Sequence, residues 1–313
     1  EPRPVVVRGT DEGKHASEGD TQMRQVAAFQ AHSGQVLDLL FTTESRTLVS
    51  AGFDNRLSFW SVDDWENVGS LDAHDKSVNA IALSSDGETL VSGSSDATVK
   101  LWSLRERELI RTLQRWRKVV STVAISEDGA WVAAGSYGGG AVVWTVDGEE
   151  VVTIRASQKN LSTVAISPRA DLLVTAGLGD EINIWNLPSG TLVKTLSGHQ
   201  TAVSSLSFLA EGSELISLGY EGAIRLWRTE RWEGERAISL NRTGARRLVI
   251  SPDERRAALS LEGRVQLWRT DTWERTEDLE IGTKSVGGLA FSPDRAWFAA
   301  GGADGRIRVW ALA

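Results

Sequence analysis

HDKSVNAIALSSDGETLVSGSSDATVKLWS, residues 74–103, is the stretch on which the fold turns. Its apolar run from Ile81 to Leu83 stops at a polar Ser84-Ser85-Asp86-Gly87 step, a composition that favours a tight turn. Further on, Val99 and Leu101 stand three and one residues before Trp102, the period of two that marks a strand. The pattern recurs along the chain: Trp60, Trp102, Trp144, Trp185, Trp227, Trp268 and Trp310 are separated by 42, 42, 41, 42, 41 and 42 residues. Leu57 and Phe59, Ile182 and Ile184, and Ile307 and Val309 repeat the apolar pair before their tryptophans. Val123 to Ile125 and Leu289 to Phe291 repeat the upstream strand, and Ser-Pro-Asp at 251–253 and 292–294 repeats its turn.

Four strands in each repeat of about 42 residues, seven times over, predict an all-β, seven-bladed β-propeller with four-stranded antiparallel blades. The chain ends three residues after Trp310, so the last blade needs an outer strand from elsewhere. Gln25 to Phe29 stands three residues before His32, as Leu71 stands before His74, Leu113 before Trp116 and Leu196 before His199. The N-terminal strand is therefore expected to complete the last blade and close the ring. The propeller is expected over 23–313. Residues 1–22, mixed in charge and rich in Gly, Ser, Thr, Asp and Glu, read as a flexible tail or linker.

On these residues the chain resembles the WD-repeat family. The resemblance implies a hydrogen-bonded tetrad in each complete blade: a His before the inner strand, a Ser or Thr in the second strand, an Asp in the tight turn and a Trp in the third. Blade one supplies His32, Ser50, Asp54 and Trp60; blade two supplies His74, Ser92, Asp96 and Trp102. Blade five has His199, Ser217 and Trp227 with Glu221 for the Asp, and the His-to-Trp spacing is 28 residues in all three. Blade three has Trp116, Ala134 and Gly138 at the His, Ser and Asp positions, so it cannot form the network. None of the seven periodic tryptophans is followed by Asp.

Composition narrows the function. There is no cysteine, which removes thiolate nucleophiles and thiolate metal sites. Of four histidines, three are assigned to structural loop positions and only His15 is left, so a Ser-His-Asp triad or a His-ligated metal is not expected. No cofactor is expected either. Gly138-Gly139-Gly140 lacks the Lys and the following helix of a phosphate loop and reads as a hairpin turn. Trp65, Trp232 and Trp273 recur between third and fourth strands and are expected to fold over the blade edge. No apolar run approaches a membrane span, and the formal net charge of −8 argues against nucleic acid. A monomeric, cytoplasmic propeller is the expectation.

The resemblance implies a non-catalytic scaffold that binds a protein or peptide on its loop face, as the sensor or regulatory part of a larger signalling protein. The competing reading is a propeller enzyme acting on a sugar or small molecule in the central funnel. Family binding positions carried onto this chain lie just before the turn Asp and at two slots after the His. The first set gives Phe53, Ser95, Tyr137, Leu178, Tyr220, Leu261 and Ala303; the second gives Leu37, Ser77, Asn79, Asn160, Ser204 and Arg246, with Trp116 nearby. Aromatic side chains beside arginine often dominate binding energy. Lys76, Arg117, Lys118, Lys159, Arg242, Arg246 and Lys284 lie in loops leading to inner strands against the single acid Asp75, which points to a partner of acidic character.

Overall fold

A computed structural model describes residues 23–312 apart from 114–117, 158 and 241–243. Seven antiparallel sheets of four strands each form the blades of the expected propeller. Blade one is typical: inner strand Val36–Phe41, then Thr47–Gly52, Arg56–Ser61 and outer strand Asn67–Asp72. Each second strand ends in an unbroken buried run, because a blade in a ring is covered on both faces by its neighbours. Outer strands lose that cover, and every residue of Glu108–Thr112 is exposed.

The core lies between consecutive blades. Val49, Leu57 and Phe59 of blade one pack with Val78, Ile81, Leu90 and Trp102 of blade two, and an equivalent cluster fills the next gap. Beside six of the periodic tryptophans the third and fourth strands slip register, as at Phe59/Trp60 and Leu101/Trp102. Such a bulge turns the outer strand without ending its pairing. The turn between those strands includes a residue in the left-handed region, occupied by Trp65 (φ 61°), Trp232 (φ 53°) and Trp273 (φ 56°), by Arg107, and by Gly148 and Gly190. In three of these turns the Trp N–H closes onto the carbonyl four residues back. Trp65 and Trp273 are buried and Trp232 half-buried, so they cover the blade edge as expected.

Ring closure also follows the expectation. Arg24–Gln30 pairs antiparallel with Arg306–Ala311, as the outer strand of the sheet that holds Val286–Phe291 and Trp297–Gly302. Its register slips between Gln25 and Ala27, beside Trp310, so it reproduces the bulge of the continuous blades. Phe29 then packs on Trp60 of blade one, with ring centroids 4.6 Å apart, and Trp65 meets Trp297 edge-on at 5.5 Å. Edge-on contact of this kind is the favoured geometry for aromatic pairs.

Candidate functional site

The tetrads assemble as the sequence suggests. In blade two His74 Nε2 lies 2.7 Å from Ser92 Oγ, which also accepts the Trp102 indole N–H at 2.8 Å, while His74 Nδ1 lies 3.0 Å from the Asp96 carboxylate. Blade one repeats this with His32, Ser50, Trp60 and Asp54 at 2.8–2.9 Å, and blade five with His199, Ser217, Trp227 and Glu221. Gly52 is required at the blade-one site, since a Cβ there would meet His32 Nδ1 at 2.2 Å. Burial lowers the pKa of all three imidazoles, that of His74 to about 4, despite the neighbouring carboxylates. These histidines are neutral and buried, each with both ring nitrogens engaged, which suits joining strands rather than transferring protons.

Blade four shows a bond that the His-centred reading missed: Thr175 Oγ1 accepts the Trp185 indole N–H at 2.9 Å. The available signal was a hydroxyl residue ten positions before the periodic Trp, as at Ser50, Ser92 and Ser217. Blade six departs further. Trp60 faces Leu48, twelve residues back, but Trp268 faces Ala257, eleven back, because Glu262-Gly263 forms a two-residue turn between Leu261 and Arg264. The shortened hairpin puts Leu259 at the register of Ser50, and the buried Trp268 Nε1 has no hydrogen-bond partner among the described residues.

That shift corrects one rim residue. Leu261 matches Gly52 in register rather than Phe53; it is 6% exposed and packs into the core between blades five and six. The other large rim side chains among the described residues reach the surface, whereas Ser77 is buried. Phe53, Tyr137 and Leu178 are 62%, 49% and 49% exposed; Arg246 is exposed, and Tyr220 and Leu37 are half-buried. Trp116 lies outside the described residues. Tyr137, Leu178, Tyr220 and Arg246 line one cavity of about 440 Å³ at the mouth of the central channel; Phe53 and Leu37 stand outside that lining.

Several inner-strand polar groups serve the ring itself. Asn79 donates to Val120 O at 2.8 Å and Ser121 to Leu161 O at 2.7 Å, each joining one blade to the next. Ser204 does the same to Ala245 O. Asp38, 2% exposed, accepts the N–H of Leu39 and of Ile81 and pairs with Arg247 of blade six at 2.5 Å. Spacing alone did not single out this cross-ring pair. Among the described residues no group of three or more His, Cys, Asp or Glu is placed to hold a metal ion. A larger recess of about 720 Å³, bounded by Arg169, Phe208 and Glu230, opens on the opposite face between blades four and five.

Comparison with known proteins agrees with this architecture. The family described as "WD domain, G-beta repeat" matches residues 23–61, 65–103, 107–145, 190–228 and 276–311, together more than half of the chain. The chain belongs to this WD-repeat family. The unmatched segments hold blades four and six, and the latter carries the shortened hairpin. Periodic tryptophan protein 2 of Arabidopsis thaliana is 32% identical over 74 residues, 24% of this chain and 8% of that protein. Its Schizosaccharomyces pombe homolog is 40% identical over 73 residues, 23% of this chain and 8% of that protein. Lissencephaly-1 homolog 1 of Paramecium tetraurelia is 31% identical over 91 residues, 29% of this chain and 21% of that protein. The matches thus span less than a quarter of these relatives' length, about two WD repeats each.

Proposed function

We propose that this WD-repeat propeller is a non-catalytic interaction scaffold that holds a protein or peptide partner of acidic character across the channel mouth. The observation that carries the reading is the exposure of Phe53, Tyr137 and Leu178 on the face where Arg246 is also exposed. Large apolar side chains left in water at separate blades contribute nothing to the core, whereas their burial by a partner is favourable. Membership of the WD-repeat family supports a scaffold role. So does the name of one relative, THO complex subunit 6 homolog of Danio rerio, 31% identical over 67 residues, 21% of this chain and 21% of that protein.

The test starts from a partner recovered by affinity capture and confirmed with purified components. Tyr137→Ala, Tyr220→Ala and Arg246→Ala should each weaken it by roughly 1–3 kcal/mol while leaving the melting temperature nearly unchanged. The control for the opposite face must use exposed residues, because Trp65 and Trp273 are buried and their removal would disturb the blades. Arg169→Ala and Glu230→Ala, at the larger recess, meet that need. Normal binding by the rim variants with loss in this second pair would place the functional face at the other end of the ring.

A further inference from the structure

Among the described residues three charged side chains line the channel mouth, Asp38, Arg246 and Arg247. They are not equivalent. Asp38 holds Arg247 by an ion pair while accepting two backbone N–H groups, so its carboxylate is fully engaged. The pair spans from blade six to blade one, and the inner strand of blade seven between them carries Gly287 and Gly288. A Cβ on Gly287 would meet Val36 O at 2.2 Å, so that strand lies close against blade one. Arg246, one residue away from Arg247, is exposed, and its side chain enters no hydrogen bond or ion pair among the described residues.

Polar groups around the mouth divide in the same way. On the blade-two side Ser77, Asn79 and Ser95 bond to one another. On the side of blades three to six, the Tyr137 and Tyr220 hydroxyls make no hydrogen bond among the described residues. Among the described residues the Arg246 guanidinium is therefore the one charged group of the lining left unengaged, and neutral donors such as the two phenols and the Asn160 amide share the same cavity. We infer that the mouth receives a single carboxylate side chain, Asp or Glu, from a loop of the partner, paired with Arg246 while Asp38 withholds Arg247. A phosphorylated side chain, with about −1.5 to −2 charge, would call for the second guanidinium that Asp38 holds back. The occupant is a chain segment rather than a free acid, because Tyr137 and Leu178 offer apolar surface for residues beside the carboxylate. This inference rests on the rim reading above.

Immobilised degenerate octapeptide pools with central glutamate, glutamine or phosphoserine test it, using the full chain as the soluble probe. The wild type should prefer the glutamate pool over the glutamine pool by about tenfold, the size of one charge-assisted hydrogen bond. It should also prefer glutamate over phosphoserine. Arg246→Gln, at an exposed side chain, should erase the glutamate preference, and Asp38→Asn should move preference toward phosphoserine. A wild type that favours glutamine or phosphoserine, or an Arg246→Gln variant that still selects glutamate, overturns the inference. Tyr137→Ala separates the two levels. Binding that is lost in this variant but shows no glutamate preference in the wild type removes only the carboxylate assignment. Binding to every pool that survives Tyr137→Ala, or no binding to any pool, removes the rim reading as well.

Discussion

Blades two and six have the same strand count and the same antiparallel order, but their interiors are joined differently. In blade two a hydroxyl, an imidazole, a carboxylate and an indole form one chain of hydrogen bonds through two strands, the turn between them and the entering loop. Blade six has Leu259 at that register, and Trp268 Nε1 and Ser260 Oγ are buried without partners among the described residues. Both blades still pair Trp with the second strand and bury that strand along its length. Apolar alternation and the ladder are therefore enough to form a blade; the tetrad adds stability to one already formed.

The largest expected effect is on the tryptophans. Trp102→Ala should cost about 3–5 kcal/mol through its cavity and the donors and acceptors it leaves behind. Trp268→Ala should cost about 1–2 kcal/mol less, because its indole N–H has no partner among the described residues. Equal shifts in denaturation midpoint would break the contrast between the blades.

Acid tests the network without mutation. The folded-state pKa of His74 lies at about 4, below its ordinary 6.5, and those of His32 and His199 are also lowered by burial. Between those limits the unfolded chain binds more protons, so the contribution of these residues is present above pH 6.5 and is lost as pH falls toward 4. Urea midpoints should therefore fall steadily below about pH 6.5, before most carboxylates titrate. A midpoint that stays level from pH 7 to 5 would mean that the imidazoles are not held neutral.

A single substitution type gives the finer comparison. Ser92→Ala should destabilise by about 1–3 kcal/mol, since it strands His74 Nε2 and Trp102 Nε1. Ser260→Ala removes a buried hydroxyl with no partner among the described residues and should be neutral or stabilising by up to about 1 kcal/mol. The same sign for both in chemical denaturation would show that blade six satisfies Ser260 after all.

The blade count, the closing strand and three tetrads were legible because each depends on residue spacing, which a ring of near-identical units preserves. Leu261 shows where spacing fails. Counting back from Trp268 treats every hairpin as equal, whereas one residue fewer at Glu262-Gly263 turns the leucine from the rim into the core. The rim itself was partly legible: Tyr137, Leu178, Tyr220 and Arg246 come together as their positions implied. The Asp38–Arg247 pair was not, because it joins blades that are distant in sequence and only ring geometry brings them together. Thr175 keeps the ten-residue spacing to Trp185, but Ser157 rather than a histidine stands 28 residues before that tryptophan, so the blade lacks the mark of a tetrad.

Closing the ring with its first strand also puts an order in time on the molecule. Arg24–Gln30 finds its ladder partners only at Arg306–Ala311, a whole ring later in the chain. At synthesis rates of about 5–20 residues per second, the first strand waits roughly 15–60 s for its partners. Through that interval Phe29 has Trp60 and Trp65 of blade one available long before the closing strand emerges. Those rings are a ready resting place for an apolar strand whose edge would otherwise be open to the wrong chain.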